Sequence, residues 1–237
     1  TTLPGAGTLT SNGVAVSAGD FVTKSDIDLG RLVYTPAANA NGAGYASFTF
    51  QVRDDGGTAN GGVDLDASAN TITVNVTAVN DAPAGANKTV TTNEDTGYTF
   101  TAADFGFTDA VEGNGFLSVK VTTLPGAGTL TSNGVAVSAG DFVTKADIDL
   151  GRLVFTPAAN ANGAGYASFT FQVRDDGGTA NGGVDLDASA NTITVNVTAV
   201  NDAPALSGAN DLGTILEDAS SNGGTLVSTL IAGRVSD

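Results

Sequence analysis

The chain is 237 residues long and carries 9 Lys plus Arg against 25 Asp plus Glu, a formal charge of −16, with no Cys, His, Trp or Met. Without His or Cys there is no Ser-His-Asp or Cys-His nucleophile, no zinc site of the usual ligand type, no thiolate redox centre and no disulfide framework. So acidic a balance repels nucleic-acid phosphates and anionic lipid, whereas Asp, Asn and backbone carbonyls suit hard cations, Ca²⁺ above all, so the partner implied by composition is a cation.

The chain repeats itself. Thr1 to Ala84 recurs as Thr122 to Ala205 at an offset of 121 (122 − 1), differing only at Ser25/Ala146 and Tyr34/Phe155. Copies so alike do not divide catalytic from regulatory work, which favours spacing, display or polyvalent binding over specialised chemistry. The sequence opens on Thr1 and closes on Val235-Ser236-Asp237 partway into a third, divergent unit. It reads as part of a longer protein whose signal peptide, if any, lies elsewhere. No apolar run approaches the roughly 18 residues of a membrane-spanning helix.

The repeat places three domains in chain order. Residues 1–81 are the C-terminal part of one unit, 82–202 a complete unit, and 203–237 the N-terminal part of a third. The tetrapeptide Asn-Asp-Ala-Pro, at Asn80 to Pro83 and Asn201 to Pro204, forms the linkers, because Pro stiffens a junction and extends the residue before it. Within the complete unit, Leu117, Val119 and Val121 alternate with polar residues as a half-buried strand requires. Ser132-Asn133-Gly134 predicts a tight hairpin, since Asn-Gly accepts the positive φ angles of a type I′ turn. Thr144-Lys145-Ala146-Asp147 resembles a capping box for one helical turn, with Gly151 as a left-handed stop. From Tyr166 to Arg174, Ala167, Phe169, Phe171 and Val173 share one face. Ile193, Val195 and Val197 do the same in the next strand, under a Thr-rich outer face. No long 3.6-residue period occurs, so the fold class is all-β, an immunoglobulin-like Greek-key sandwich of about seven strands per unit in tandem.

Oxygen side chains collect at the strand ends. Ca²⁺ takes about 6–8 oxygens from carboxylates, amides and backbone carbonyls, but Asp and Asn also make turns, so each acidic loop admits both readings. Asp185, Asp187, Ser189 and Asn191, repeated at Asp64, Asp66, Ser68 and Asn70, imitate the first four alternate positions of an EF-hand loop. Ala190 stands where the loop needs Gly and Asn196 where it needs Glu, which favours a polar, solvated hairpin loop. The pair Asp175-Asp176 could offer general acid–base chemistry, but with no Trp as a sugar platform and with neighbouring side chains pointing apart it argues against an enzyme. The sequons at Asn75-Val76-Thr77 and Asn196-Val197-Thr198 decide nothing in so Thr-rich a chain.

The run Phe169-Thr-Phe-Gln-Val-Arg-Asp-Asp-Gly-Gly, followed by Ile193-Thr-Val-Asn-Val-Thr-Ala-Val-Asn-Asp-Ala-Pro, resembles the last two strands and linker of cadherin-type domains. It is more similar still to the cadherin-like tandem repeats of large secreted bacterial adhesins. The resemblance spans essentially the whole chain. It implies Ca²⁺ at domain junctions, held by an early Glu of one domain, the linker, and Asp residues from two loops of the next. Carried onto this sequence, the early acidic motif is Glu94 and Asp95, with Glu217 and Asp218 as counterparts in the third unit. The downstream acidic loop is Asp109 with Glu112 and Asn114, and Asp237 is its equivalent. The loop before the last strand is Asp175-Asp176, repeated at Asp54-Asp55, and the linkers contribute Asn80, Asp81, Asn201 and Asp202. Animal cadherins carry Asp-x-Asn-Asp-Asn before the Pro. Here Ala78 and Ala82 replace two of those donors, so fewer ions per junction are expected.

The reading that follows is a Ca²⁺-stiffened extracellular repeat region in a bacterial surface adhesin, its partners being calcium ions, neighbouring repeats and a surface or polysaccharide ligand. The alternative is a carbohydrate- or matrix-binding accessory array. Exposed rings would favour the alternative, and Tyr98 and Tyr166, the two Tyr of the complete unit, lie in strands that use them for packing.

Overall fold

The strands follow from alternation and from glycine-bearing turns. A computed structural model describes residues 1–208, 210–211, 214, 216–218, 220–221 and 224–236. It resolves into two compact units. The first comprises residues 1–86, 105–120 and 172–190, and the second residues 87–104, 121–171 and 191–237.

The first unit holds β1 (Thr8–Ser11), β2 (Val14–Ala15), β3 (Leu32–Thr35), β4 (Gly42–Phe50) and β5 (Asn70–Val76), with the helical turn α1 (Lys24–Asp28) between β2 and β3. Strands β2-β1-β3 make one antiparallel sheet and β4-β5 another. Residues of this unit outside the first repeat include buried Phe105, Val119 and Val173.

The complete repeat runs through β6 (Lys88–Asn93), β7 (Tyr98–Thr99), β8 (Phe116–Thr123), β9 (Thr129–Ser132), β10 (Val135–Ala136), β11 (Phe142–Thr144), the helical turn α2 (Lys145–Asp149), β12 (Leu153–Thr156), β13 (Gly163–Asp175) and β14 (Asn191–Thr198). Its strands form a four-stranded sheet, β10-β9-β12-β7, and a five-stranded one, β11-β8-β13-β14-β6. Most apolar faces read from the sequence are those buried: Phe169, Phe171, Ile193, Val195 and Val197 join Leu130, Ile148, Leu153 and Phe155 in the core of the second unit, whereas Leu117, near the start of β8, is 43% exposed while its neighbour Ser118 is buried. Phe100 packs edge-on against Phe169 at 5.5 Å between ring centres. Each such side chain contributes about 1.5–3 kcal/mol by leaving water.

Turn chemistry is as expected. Asn133 and Gly134 adopt φ of 52° and 77° between paired Ser132 and Val135, a type I′ hairpin. Thr144 caps α2: its Oγ1 accepts the Asp147 N–H at 3.1 Å and donates to Asp147 Oδ2 at 2.8 Å. Gly151, at φ 69°, ends it. The Arg152 guanidinium and the Thr144 hydroxyl hold the Asp147 carboxyl below its ordinary value.

The first and last strands of the repeat lie side by side. β6 and β14 run parallel, from Ile193 opposite Lys88 to Thr198 opposite Asn93. A chain that enters a domain at one end and leaves at the other needs its first and last strands to point the same way. After the second linker, β15 (Ala205–Leu206) pairs with β16 (Val235–Ser236), with the helical turn α3 (Val227–Leu230) between them. Among the described residues no helix is long and apolar enough to cross a membrane.

Candidate functional site: two acidic strand-end clusters

The linker residue Asn80 is the hub of a hydrogen-bonded cluster in the first unit. Its Nδ2 donates to both carboxylate oxygens of Asp175, at 3.0 and 3.3 Å, and to the Val184 carbonyl at 2.8 Å. Its Oδ1 accepts from Asn114 Nδ2, and its carbonyl accepts the Val184 N–H at 2.9 Å. A Cβ on Gly177 would run into the side-chain amides of Asn80 and Asn114, so glycine there lets the linker approach the Asp-Asp-Gly-Gly loop. Next along the chain, the Asp81 N–H donates to Glu112 Oε2 at 3.0 Å.

Asp175 is fully buried, with its Oδ1 also accepting the Gly177 N–H at 2.9 Å. Burial pushes its pKa above the ordinary value. The hydrogen bonds from Gly177 and Asn80 oppose this, and the nearby Asp109 and Asp185 carboxylates add to it. Its neighbour Asp176 points elsewhere and accepts the Gly115 N–H at 2.7 Å. At Asp109 burial also works against the charged form, but backbone N–H groups of Asn114, Val111, Gly113 and Glu112 outweigh it and hold the carboxyl below its usual range. Asp109 is thus an Asx-type loop organiser, with Oδ1 serving Val111 and Glu112 and Oδ2 serving Asn114.

The second cluster lies in the second unit. Glu94 is buried, and its Oε1 accepts the Val200 N–H at 2.6 Å while its Oε2 accepts from Asn162 Nδ2 at 2.9 Å. The Asn162 amide and the Val200 N–H hold its carboxyl below its ordinary value, against the cost of burial. Asp95, exposed and at φ 58°, accepts the Asn160 N–H at 3.1 Å. Val200 immediately precedes the linker pair Asn201 and Asp202, both exposed.

The structure therefore divides the candidate residues. Asn80, Asp81, Asp109 and Asp175 share one hydrogen-bonded and electrostatic neighbourhood with Glu112 and Asn114. Glu94 and Asp95 sit with Asn160, Asn162 and Val200. Asp54, the counterpart of buried Asp175, is exposed and serves its own turn through the Gly56 N–H at 2.9 Å. Glu217 is exposed, and Asp237 lies outside the described residues. Among the described residues no group of three or more acidic side chains is arranged to hold a metal ion.

The loop that imitates an EF-hand is built otherwise. Asp185 pairs with Arg174 at 2.7 Å, and Asp187 accepts from the Gly85 and Ser189 N–H groups. Both carboxylates are buried, while Val184, Ala188, Ser189 and Ala190 around them are exposed, so the loop is solvated but turns its two Asp side chains inward.

Sequence reasoning missed Asn160, Asn162 and Val184, because each acts on a residue 65 to 104 positions away. Only the Asn-rich run Ala158 to Asn162 signals polar contacts at that point.

No curated protein and no solved structure matched the chain. Residues 79–189 match the cadherin-like domain family, a span that takes in the Asn80 hub, the Asp109 loop and the Asp175 loop, and nearly all of the two-sheet repeat described above. Over that span the chain is similar to a cadherin-like domain, a likeness that points to an adhesion-type or extracellular repeat role.

Proposed function

We propose that this chain is a repeat region of a bacterial extracellular adhesin whose domain junctions are stiffened by Ca²⁺, and that it carries no catalytic activity of its own. The observation that supports it most is the Asp175 neighbourhood. A buried carboxylate crowded by Asp109 and Asp185, and held by the linker amide of Asn80, is a charge that a cation would relieve. The donor set fits a hard ion in type, since Asp81, Asp109, Glu112 and Asp175 offer oxygen only. It does not fit as an assembled cage: Asp109 spends its lone pairs on backbone N–H groups and Glu112 faces the Asp81 N–H. Calcium binding here therefore requires some of these hydrogen bonds to be exchanged for metal bonds. In the second unit Glu94, bonded to the Val200 N–H just before the Asn201-Asp202 linker, supplies the same oxygen chemistry.

The carbohydrate-binding reading draws less support. Tyr98 packs against Phe100 at 5.0 Å and its hydroxyl donates to Asp104, while Tyr166 packs against Phe155. Both rings are tied into the fold.

Thermal melts of the chain in EDTA and in 10 mM Ca²⁺ test the proposal. A site of the extracellular class, with a dissociation constant of about 10⁻⁴ to 10⁻³ M, adds about 1.4–2.7 kcal/mol at that concentration. Superimposable melts would remove calcium from the account.

A further inference from the structure

The complete repeat takes hold of the chain before it and after it, and each grip is a hydrogen bond within the protein. On the entry side Asn80 and Val184 bond reciprocally: the Asn80 carbonyl accepts the Val184 N–H at 2.9 Å, and the Asn80 side-chain amide donates to the Val184 carbonyl at 2.8 Å. The Asp81 N–H donates to Glu112, and Pro83 is buried. Ala84 exchanges N–H and carbonyl with Thr108 at 2.8 Å each way, the Gly85 N–H donates to Asp187 at 2.8 Å, and the Ala86 N–H donates to the Phe105 carbonyl at 3.0 Å. On the exit side Glu94 holds the chain twice, its own N–H on the Thr198 carbonyl at 2.9 Å and its carboxylate on the Val200 N–H at 2.6 Å. That hold extends past the last β6–β14 pair, Asn93 with Thr198, to the edge of the Asn201-Asp202 linker.

The Asn80 amide decides whether an ion is needed on the entry side. Its Nδ2 lies within reach of three acceptors, both Asp175 carboxylate oxygens and the Val184 carbonyl, where the Asp109 and Asp185 carboxylates add negative charge. A buried carboxylate requires donors, and a side-chain amide supplies two protons without a charge of its own. An acid at position 80 would replace donation by repulsion.

We propose that the repeat carries a cation-independent latch: Asn80 fixes the incoming linker and Glu94 the outgoing chain, so the linker is ordered before any ion is bound. Where copies of this repeat follow one another, the Glu of one and the Asp-loop of the next hold consecutive linker residues from both sides. Asn80 acts here as a positioning residue, through Asp175 and Val184. The latch does not rest on the calcium reading, because its donors and acceptors are all supplied by the chain.

Residue-resolved amide hydrogen exchange of the intact chain in EDTA reads the latch at the Asp81, Val184 and Val200 protons. Each should exchange at least about tenfold more slowly than in an unstructured peptide of the same sequence. Asn80→Asp, which sets a further carboxylate beside Asp175, should remove the protection at Asp81 and Val184 while the amides of β14 keep theirs. Asn80→Ala, which removes the donor and adds no charge, should weaken the same two protons to a smaller degree. Glu94→Ala should release Val200 and leave Asp81 and Val184 protected. Exchange at the three protons as fast as in the peptide, slowed only once Ca²⁺ is added, would overturn the proposal. So would unchanged protection at Asp81 and Val184 in both Asn80 variants, or a loss in both that spreads to β14, since Asn80 would then serve the fold as a whole.

Discussion

Asp175 and Glu94 are both buried carboxylates at strand ends, and their surroundings pull them in opposite directions. The raised pKa of Asp175 means that the folded state favours its protonated form. That contribution is fully present below the ordinary value of 3.8 and is lost as pH rises through the folded value, so at pH 7 the charge works against the fold. Asp175→Asn, which keeps an oxygen for Gly177 and Asn80, should therefore melt at or above the parent temperature at pH 7 in EDTA. In Ca²⁺ the parent should gain stability and the variant should not; equal gains would place the ion elsewhere. Glu94 has the reverse sign. Its lowered pKa contributes stability above the ordinary value of 4.5 that is lost as pH falls through the folded value. Glu94→Gln should melt below the parent at pH 7, with the gap closing as the solution is acidified below that range; a gap independent of pH would assign the loss to packing. The acidic residues were legible because their types and strand-end positions suit a cation. Their partners were not, since Asn80 reaches Asp175 across 95 positions and Asn162 reaches Glu94 across 68.

Strands and turns were the most legible part of the chain. Alternation of apolar and polar residues over residues 166–174 and 192–198, the Asn133-Gly134 hairpin and the Thr144 cap act within a few residues, and local chemistry is enough to decide them. What an element is worth depends instead on its neighbours, and the repeat offers a controlled comparison. Ile193→Ala removes a fully buried side chain between β13 and β6 and should cost about 2–5 kcal/mol. Ile72→Ala, the same change in the same local sequence, strikes a half-open position and should cost less than about 1 kcal/mol. Urea melts of the two variants check this, and equal losses would mean that the first repeat buries its face in solution. The parallel β6–β14 pair was beyond local reasoning, because alternation identifies a strand but not the direction of its partner.

Across the whole molecule, a charge of −16 acts as self-repulsion that no single ion pair cancels. Half-exposed ion pairs such as Lys145–Asp149 at 2.5 Å and Arg152–Asp147 at 2.8 Å contribute little each. Raising NaCl from about 0.01 to 0.15 M shortens the screening length from about 30 to 8 Å, so the melting temperature in EDTA should rise. Calcium chloride at matched ionic strength should raise it further. If NaCl alone gives the full effect, screening and not site binding is responsible.

The sequence by itself determined the 121-residue repeat, the all-β class, the turns and the exclusion of His- and Cys-based chemistry, because composition and short-range pattern carry those properties. Only the tertiary structure decided that Asn80 lends its amide to Asp175 and that Glu94 is held by Asn162 and the Val200 N–H. Burial and hydrogen-bond partnership are properties of what surrounds a residue. Two stretches with the same sequence differ in both wherever their surroundings differ.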